Sequence, residues 1–313
     1  MMGTGAFAVP TLRALYDSRH QVAALVTQPL RPKHGRRAAT ENPLRHVAEE
    51  HRTPILDPAD VSTSEAHARL ARCRPQLLVV ADYGQILSDT TLSLAPHGAI
   101  NLHASLLPKY RGAAPVNWAL YHGETETGVT VFHIRPKVDS GPCLAQTRLA
   151  IDPDETAVEL EARLAELGAP AVCWVIDELE TGRAEAQEQD PARSSRAPRL
   201  KKADGAIDWT RPATAIRNHV RAMEPWPKTF SFWHRERGEP LRLILGPVNV
   251  VPRTVDVPPG TVLEATAGRL VVAAGQDALL AEQIQPSGKR MLAADEFLRG
   301  YPARVGELFG PEG

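Results

Sequence analysis

Apolar and polar positions follow two different rhythms along this chain. In the first half, short continuous apolar runs alternate with stretches of helical spacing. Val22–Val26 and Leu77–Ala81 are runs of the kind expected in strands covered on both faces. Shorter strands are predicted at Pro54–Leu56, Ala99–Leu102 and Val129–Ile134. A helix is predicted over Pro10–Tyr16. Asn42-Pro43 opens another, with Asn as the cap and Pro at the first helical position, running through Glu50. Ser62-x-x-Glu65 reads as a capping box for a helix through Arg72. Asp154–Leu179 carries helical periodicity, with Leu160, Leu164, Leu167 and Val172 facing inward. Strands that alternate with helices predict a mostly parallel sheet with helices on both faces.

The rhythm changes over Glu185–Lys202, where polar residues, Pro191, Ser194, Ser195 and Pro198 replace periodic apolar ones. This reads as a linker. A helical stretch at Thr214–Met223 follows. Strand-like runs then come at Thr229–Trp233, Leu241–Leu245, Gly260–Leu263, Leu270–Val272 and Leu279–Gln283. Short strands between Pro and Gly turns predict a small β domain, a barrel. The expected division is a domain over 1–182, a linker over 183–202 and a second domain over 203–313.

Gly3-Thr4-Gly5-Ala6-Phe7-Ala8 reads as a strand-to-helix turn. It matches the dinucleotide fingerprint G-x-G-x-x-A, but no acid ends the next strand, where Thr27-Gln28-Pro29 stands. A tight turn into a helix is the simpler reading. Only Met1 and Met2 precede it. The strand that should feed the turn is expected to be lost to truncation or a misassigned start, by ~5–6 residues, leaving its neighbours unpaired.

Composition narrows the class. The 313 residues carry a net charge of −1, so nucleic-acid contact must come from local patches. The apolar share of 43% suits a globular chain. No run of ~18 apolar residues suggests a membrane span, and MMGTGAFAVP lacks the layout of a secretory leader. Cys73, Cys143 and Cys173 are isolated, with neither disulfide nor zinc spacing. A cytoplasmic protein without a metal is expected.

The stretch richest in chemistry is Asn101-Leu102-His103-Ala104-Ser105-Leu106-Leu107-Pro108-Lys109-Tyr110-Arg111-Gly112-Ala113-Ala114-Pro115. Asn101 and His103 lie two apart at a strand end, so their side chains share a face. That edge of an α/β sheet is where ligands bind. Read alone, both residues serve equally well as turn and cap residues. Asp139, in Val138-Asp139-Ser140-Gly141-Pro142, reads alone as a turn residue.

Together, NLHASLLPKYRGAAP, the downstream DSG, the opening GTGAFAVPTLRAL and the later DGAIDW and EPWP resemble the methionyl-tRNA formyltransferases, a branch of the folate-dependent formyltransferases. The resemblance runs along nearly the whole chain. It implies a Rossmann-like catalytic domain and a C-terminal OB-like β-barrel that binds tRNA. It implies formyl transfer from 10-formyltetrahydrofolate to initiator methionyl-tRNA by a monomer, with Asn101, His103 and Asp139 as the catalytic set. Ser105, Leu106, Leu107 and Pro108 are implied folate contacts. Tyr83, Gly84, Gln85, Ile86 and Leu87 match the loop lining the pterin pocket. The residue types suit the chemistry: Asn101 and a protonated His103 donate to the oxyanion of a tetrahedral intermediate, and Asp139 holds His103 or relays protons. Where the family has Gly-Leu before the Asp, this chain has Lys137-Val138, which adds a cation beside the turn.

Arg31, Lys33, Arg36 and Arg37 form a basic loop that the resemblance places at the tRNA acceptor end. A solvated charge run is the alternative. Arg196, Arg199, Lys201 and Lys202, with Arg193, form a second cluster suited to a phosphate backbone. Trp209, Trp226 and Trp233 are expected in cores or domain contacts rather than as stacking platforms. The rival functions are another formyltransferase-fold enzyme (acting on a sugar nucleotide, on glycinamide ribonucleotide or, as a hydrolase, on formyl-folate), a non-catalytic tRNA-binding module, and a nicotinamide-linked oxidoreductase.

Overall fold

A computed structural model describes residues 1–30, 42–236, 238–266 and 268–312. The chain forms two compact units. One holds Met1–Pro115, Glu126–Ile151 and Glu159–Pro198; the other holds Val116–Thr125, Asp152–Val158 and Arg199–Gly313.

The first unit is built from α1 (Val9–Asp17), β1 (Leu25–Val26), α2 (Pro43–Glu50), β2 (Ile55–Leu56), α3 (Ser64–Arg72), β3 (Leu78–Val80), α4 (Asp89–Leu92), β4 (Ala99–His103) and β5 (Arg111–Gly112). α5 (Pro115–Tyr121) lies mostly in the second unit. The first unit resumes with β6 (Glu126–His133), β7 (Cys143–Ala150), most of α6 (Ala157–Glu180) and β8 (Arg196–Ala197). The strand order is β3-β4-β6-β7, parallel at β3–β4 and antiparallel beyond, and β1 pairs with β2 in parallel. The sheet is Rossmann-like and parallel on the N-terminal side. The antiparallel β7 was not legible in the sequence because Gln146, Arg148 and Ala150 alternate outward and break the apolar run.

The strands expected to lack a neighbour are joined through Met2. It bridges Val26 and Val80 in parallel. The Met2 N–H donates to the Val79 carbonyl at 2.7 Å, and the Val26 N–H donates to the Met1 carbonyl at 2.8 Å. A cavity of about 550 Å³ is lined in part by Met1, Ala24, Leu78 and Val79.

Local signals explain the helices. The Asn42 side chain accepts from the Leu44 and Arg45 N–H groups. The cap of α3 is Thr63 rather than Ser62, its hydroxyl accepting from the Ala66 N–H at 3.2 Å. Leu160, Leu164 and Val172 of α6 are buried. At Gly168 a Cβ would lie 2.6 Å from the Leu102 side chain, so α6 covers the Leu102 face of β4. Asn101 and His103 consequently project from the opposite face.

The second unit contains α7 (Ala213–Ala222), β9 (Thr229–His234), β10 (Leu241–Leu245), β11 (Val248–Val251), β12 (Val262–Thr266), β13 (Arg269–Ala273), β14 (Ala278–Ala281), β15 (Gln283–Pro286), β16 (Leu292–Ala293), α8 (Ala294–Gly300) and β17 (Leu308–Gly310). They form two antiparallel sheets, ordered β16-β15-β10-β9-β17 and β11-β14-β13-β12. The expected barrel does not close among the described residues: Thr261, just before β12, meets Leu308 of β17 through a single bridge rather than a ladder. Trp209 and Trp233 lie in this unit's core, as expected, while Trp226 is 48% exposed.

Candidate active site

His103 is nearly enclosed, with Phe132 edge-on at 6.4 Å. Its Nε2 lies 2.9 Å from the Tyr110 carbonyl. A carbonyl only accepts, so Nε2 carries the hydrogen. Nδ1 faces Asp139, 3.8 Å from Oδ2, which is ion-pair range and beyond hydrogen-bond length. The Asn101 side chain, on the same strand face, is partly exposed and hydrogen-bonded to no described residue. A free amide and one free ring nitrogen therefore stand side by side.

The loop after β4 is tightly fixed. Ser105 Oγ donates to the Lys109 carbonyl at 2.7 Å. Thr130, opposite His103 in β6, donates to the Ser105 carbonyl at 2.7 Å and accepts from the Leu107 N–H at 3.1 Å. Gln146 donates to the Leu107 carbonyl at 2.7 Å and to the Thr130 hydroxyl at 3.0 Å. Leu107 is buried, while Leu106 and Pro108 are partly exposed. Only the latter two are left by the fold to meet a ligand with their side chains.

The Asp139 turn is anchored by residues that sequence reading did not single out. Asp139 has φ +47, a left-handed conformation uncommon outside glycine. Its Oδ2 accepts from the Gly112 N–H at 2.8 Å. Gln189 donates to the carbonyls of Asp139 and Gly141. Arg111 and Gly112 lie within NLHASLLPKYRGAAP, but Gln189 sits in a polar stretch with no periodicity to mark it. Lys137 is exposed, and its carbonyl accepts from the Ser140 N–H and hydroxyl.

The Tyr83–Leu87 loop divides by face. Tyr83 and Leu87 belong to the core beneath it, and the Tyr83 hydroxyl is buried without a hydrogen-bond partner among the described residues. Burial, with the Asp60 charge, pushes that phenol up to about 12. Gln85 accepts from the Val61 N–H at 2.8 Å and donates to the Pro58 carbonyl at 3.3 Å. Gly84 takes φ +77. Ile86, 76% exposed, is the side chain this loop presents outward.

Arg31, Lys33, Arg36 and Arg37 lie outside the described residues. Arg196 on β8 is exposed, as are Arg199, Lys201 and Lys202 of the other unit. Among the described residues, His20, Asp177 and Glu180 bring ligand atoms within 4.8 Å of one another, but the Arg19 guanidinium already bridges both carboxylates. Burial pushes the Cys143 thiol up to about 11, the opposite of a nucleophile's need.

This geometry can be set beside known proteins. Residues 1–176 match the formyl transferase family and residues 199–302 match the formyl transferase C-terminal domain. The "Methionyl-tRNA formyltransferase" of Desulfotalea psychrophila is 44% identical over 305 residues, spanning 97% of this chain and 92% of that protein. The chain belongs to the methionyl-tRNA formyltransferase family. Another family member, from Geobacter sulfurreducens, is 40% identical over 312 residues, spanning 100% of this chain and 96% of its own. The fold of this family member is shared with the N-formyltransferase of Helicobacter canadensis, crystallised with folinic acid and dTDP-3-aminofucose. The TM-score is 0.66 at 17% identity, over 91% of this chain and 97% of that one. No helix among the described residues is long and apolar enough to cross a membrane.

Proposed function

We propose that this chain transfers the formyl group of 10-formyltetrahydrofolate to the amino group of initiator methionyl-tRNA, as a cytoplasmic monomer supporting translation initiation. The observation that carries the reading is the pairing of an unengaged Asn101 amide with the free Nδ1 of His103 on one strand face, 3.8 Å from the Asp139 carboxylate. The substrate amine attacks the formyl carbon, and the carbonyl oxygen becomes an oxyanion. Asn101 donates an N–H to it, and His103 Nδ1, when protonated, donates a second, charge-assisted bond. Asp139 balances the imidazolium and takes the amine proton, directly or through water. Collapse of the intermediate breaks the bond from the formyl carbon to the folate nitrogen, which leaves with a proton. No metal enters this scheme.

The loop of Tyr83, Gly84, Gln85, Ile86 and Leu87 fits a pterin as a shaped backbone with one outward apolar side chain, Ile86. Leu106 and Pro108 supply the side chains of the other folate contact, with the buried Ser105 and Leu107 fixing its backbone through Lys109 and Thr130. Residues 203–313, after the linker 183–202, are assigned to tRNA, with an OB-like barrel as the finer description of their sheets. Arg31, Lys33, Arg36, Arg37, Arg196, Arg199, Lys201 and Lys202 are assigned to its phosphates. Incubation with labelled 10-formyltetrahydrofolate and methionyl-tRNA, an amino-sugar nucleotide, glycinamide ribonucleotide or water alone tests the reading. Label in the tRNA alone supports it. Label in a nucleotide or release as formate refutes it.

A further inference from the structure

We propose that Gln189 is a positioning residue that holds the Asp139 turn in register with His103. The inference rests on the formyl-transfer reading above and deepens it. Asp139 sits at φ +47, a left-handed conformation that Asp tolerates better than most side chains but that still needs partners to hold it in one place. The Gln189 amide is the partner that does so. Its Nε2 donates to the Asp139 carbonyl at 2.9 Å and to the Gly141 carbonyl at 2.7 Å, gripping the turn on both sides of Ser140. Its Oε1 accepts from Arg111 Nε at 3.0 Å and from a terminal guanidinium nitrogen at 2.6 Å. Carbonyls only accept and guanidinium only donates, so the amide has a single orientation that satisfies all four contacts.

β5 supplies both halves of the clamp. The Arg111 side chain fixes Gln189, and the next residue, Gly112, gives its N–H to Asp139 Oδ2 at 2.8 Å. Gln189 is itself held by its own stretch of chain. Gln187 exchanges two backbone hydrogen bonds of 2.8 Å with Cys143, and β8 pairs with β5 in parallel. Ser195, on the same stretch, accepts from the Tyr110 N–H at 2.8 Å, next to the carbonyl that orients His103. The polar segment read as a linker thus reaches the backbone groups that hold both His103 and Asp139.

Gln189→Glu is the discriminating variant. It keeps the size and the acceptor for Arg111 but removes both donors to the turn. Initial rates with methionyl-tRNA and 10-formyltetrahydrofolate, each varied, should show kcat lowered by about ten- to a hundredfold, with both KM values within about twofold. The melting temperature should fall, because two turn carbonyls lose their donor, so the rates are read well below it. An unchanged kcat in this folded variant overturns the proposal. If Gln189→Glu is insoluble, Arg111→Lys loosens the same amide from its other side. It should lower kcat in the same pattern by a smaller factor, and an unchanged kcat there is equally fatal. Crystal structures of wild type and Gln189→Glu separate this idea from the reading it rests on. A wild type inactive on methionyl-tRNA refutes formyl transfer, whereas loss of the contact between Asp139 and the Gly112 N–H in the variant alone still supports positioning.

Discussion

His103 Nδ1 and Asp139 Oδ2 face each other at 3.8 Å, while the same carboxylate oxygen takes a 2.8 Å hydrogen bond from the Gly112 N–H. The carboxylate is thus anchored by backbone and offers His103 its charge rather than a hydrogen bond. Asp139→Asn keeps an acceptor for Gly112 and removes that charge and the proton acceptor. Its kcat for methionyl-tRNA formylation should fall by about 10²–10⁴, the usual worth of a general acid or base, with the melting temperature near that of wild type. Retention of more than a tenth of wild-type kcat would exclude a proton-transfer role for this residue.

Asn101 tests the oxyanion assignment separately. Its amide makes no hydrogen bond to a described residue, so truncation removes no hydrogen bond from the fold. Asn101→Ala should therefore leave stability unchanged and lower kcat by about 10²–10³. If binding of either substrate weakens while kcat holds, the amide serves ground-state binding instead. His103→Ala should show a loss at least as large.

Much of this site was readable because its residues are close in sequence. Asn101 and His103 share a face through the two-residue period of a strand, and that needs no tertiary knowledge. The groups that hold them in place were not readable. Tyr110 and Gly112 act through backbone atoms, which carry no side-chain signature. Gln189 lies 50 residues from Asp139 and meets it only through the fold. The fold divides in the same way. Continuous apolar runs marked β1 and β3, whereas β7 hid behind its outward polar alternation. Closure of the second unit could not be read either, since it depends on whether Thr261 and Leu308 begin a ladder or stop at one bridge.

The opening glycine turn makes a prediction about packing. Gly5 has φ −90, which any residue adopts, so conformation alone does not require glycine there. Space is short: a Cβ would stand 1.7 Å from Asp82 Oδ2, so the carboxylate would have to turn aside and give up its hydrogen bond from the Gly5 backbone. Gly5→Ala should destabilise by about 1–3 kcal/mol, the usual cost of overpacking. Asp82→Ala opens the same space, so the double variant should recover most of the loss. Urea denaturation of the four proteins completes the cycle. Additive single effects would show that the clash is relieved elsewhere.

The exposed cluster of Arg199, Lys201 and Lys202 predicts a salt effect. If these side chains meet tRNA phosphates, replacing all three with Ala should weaken binding. It should also flatten the plot of log K against log salt by about 0.7–0.9 per lost contact. Filter binding across a salt series measures both. Unchanged slope with unchanged affinity removes the cluster from the interface. The same series on Arg31, Lys33, Arg36 and Arg37 judges the first basic loop independently.

His219 gives the second unit a pH-dependent stability whose sign follows from its surroundings. Its ring is buried in α7, with Tyr121 edge-on at 5.1 Å, and Nε2 donates to the Asp204 carbonyl at 2.6 Å. Burial is the largest influence and holds its pKa below the usual histidine value of 6.5; the Asp204 carbonyl opposes this, and the Arg211 charge reinforces it. The unfolded chain therefore binds a proton at a pH where the folded chain still refuses it. Stability from this group is complete above pH 6.5 and declines as pH falls from there toward the lower folded value. His219→Gln keeps an N–H for Asp204 but cannot titrate. Its melting temperature should fall less than that of wild type between pH 7 and pH 5, although packing loss lowers it at both. A parallel decline in the two proteins would mean that His219 takes up its proton without leaving its site, and that the carbonyl contact tolerates the charge.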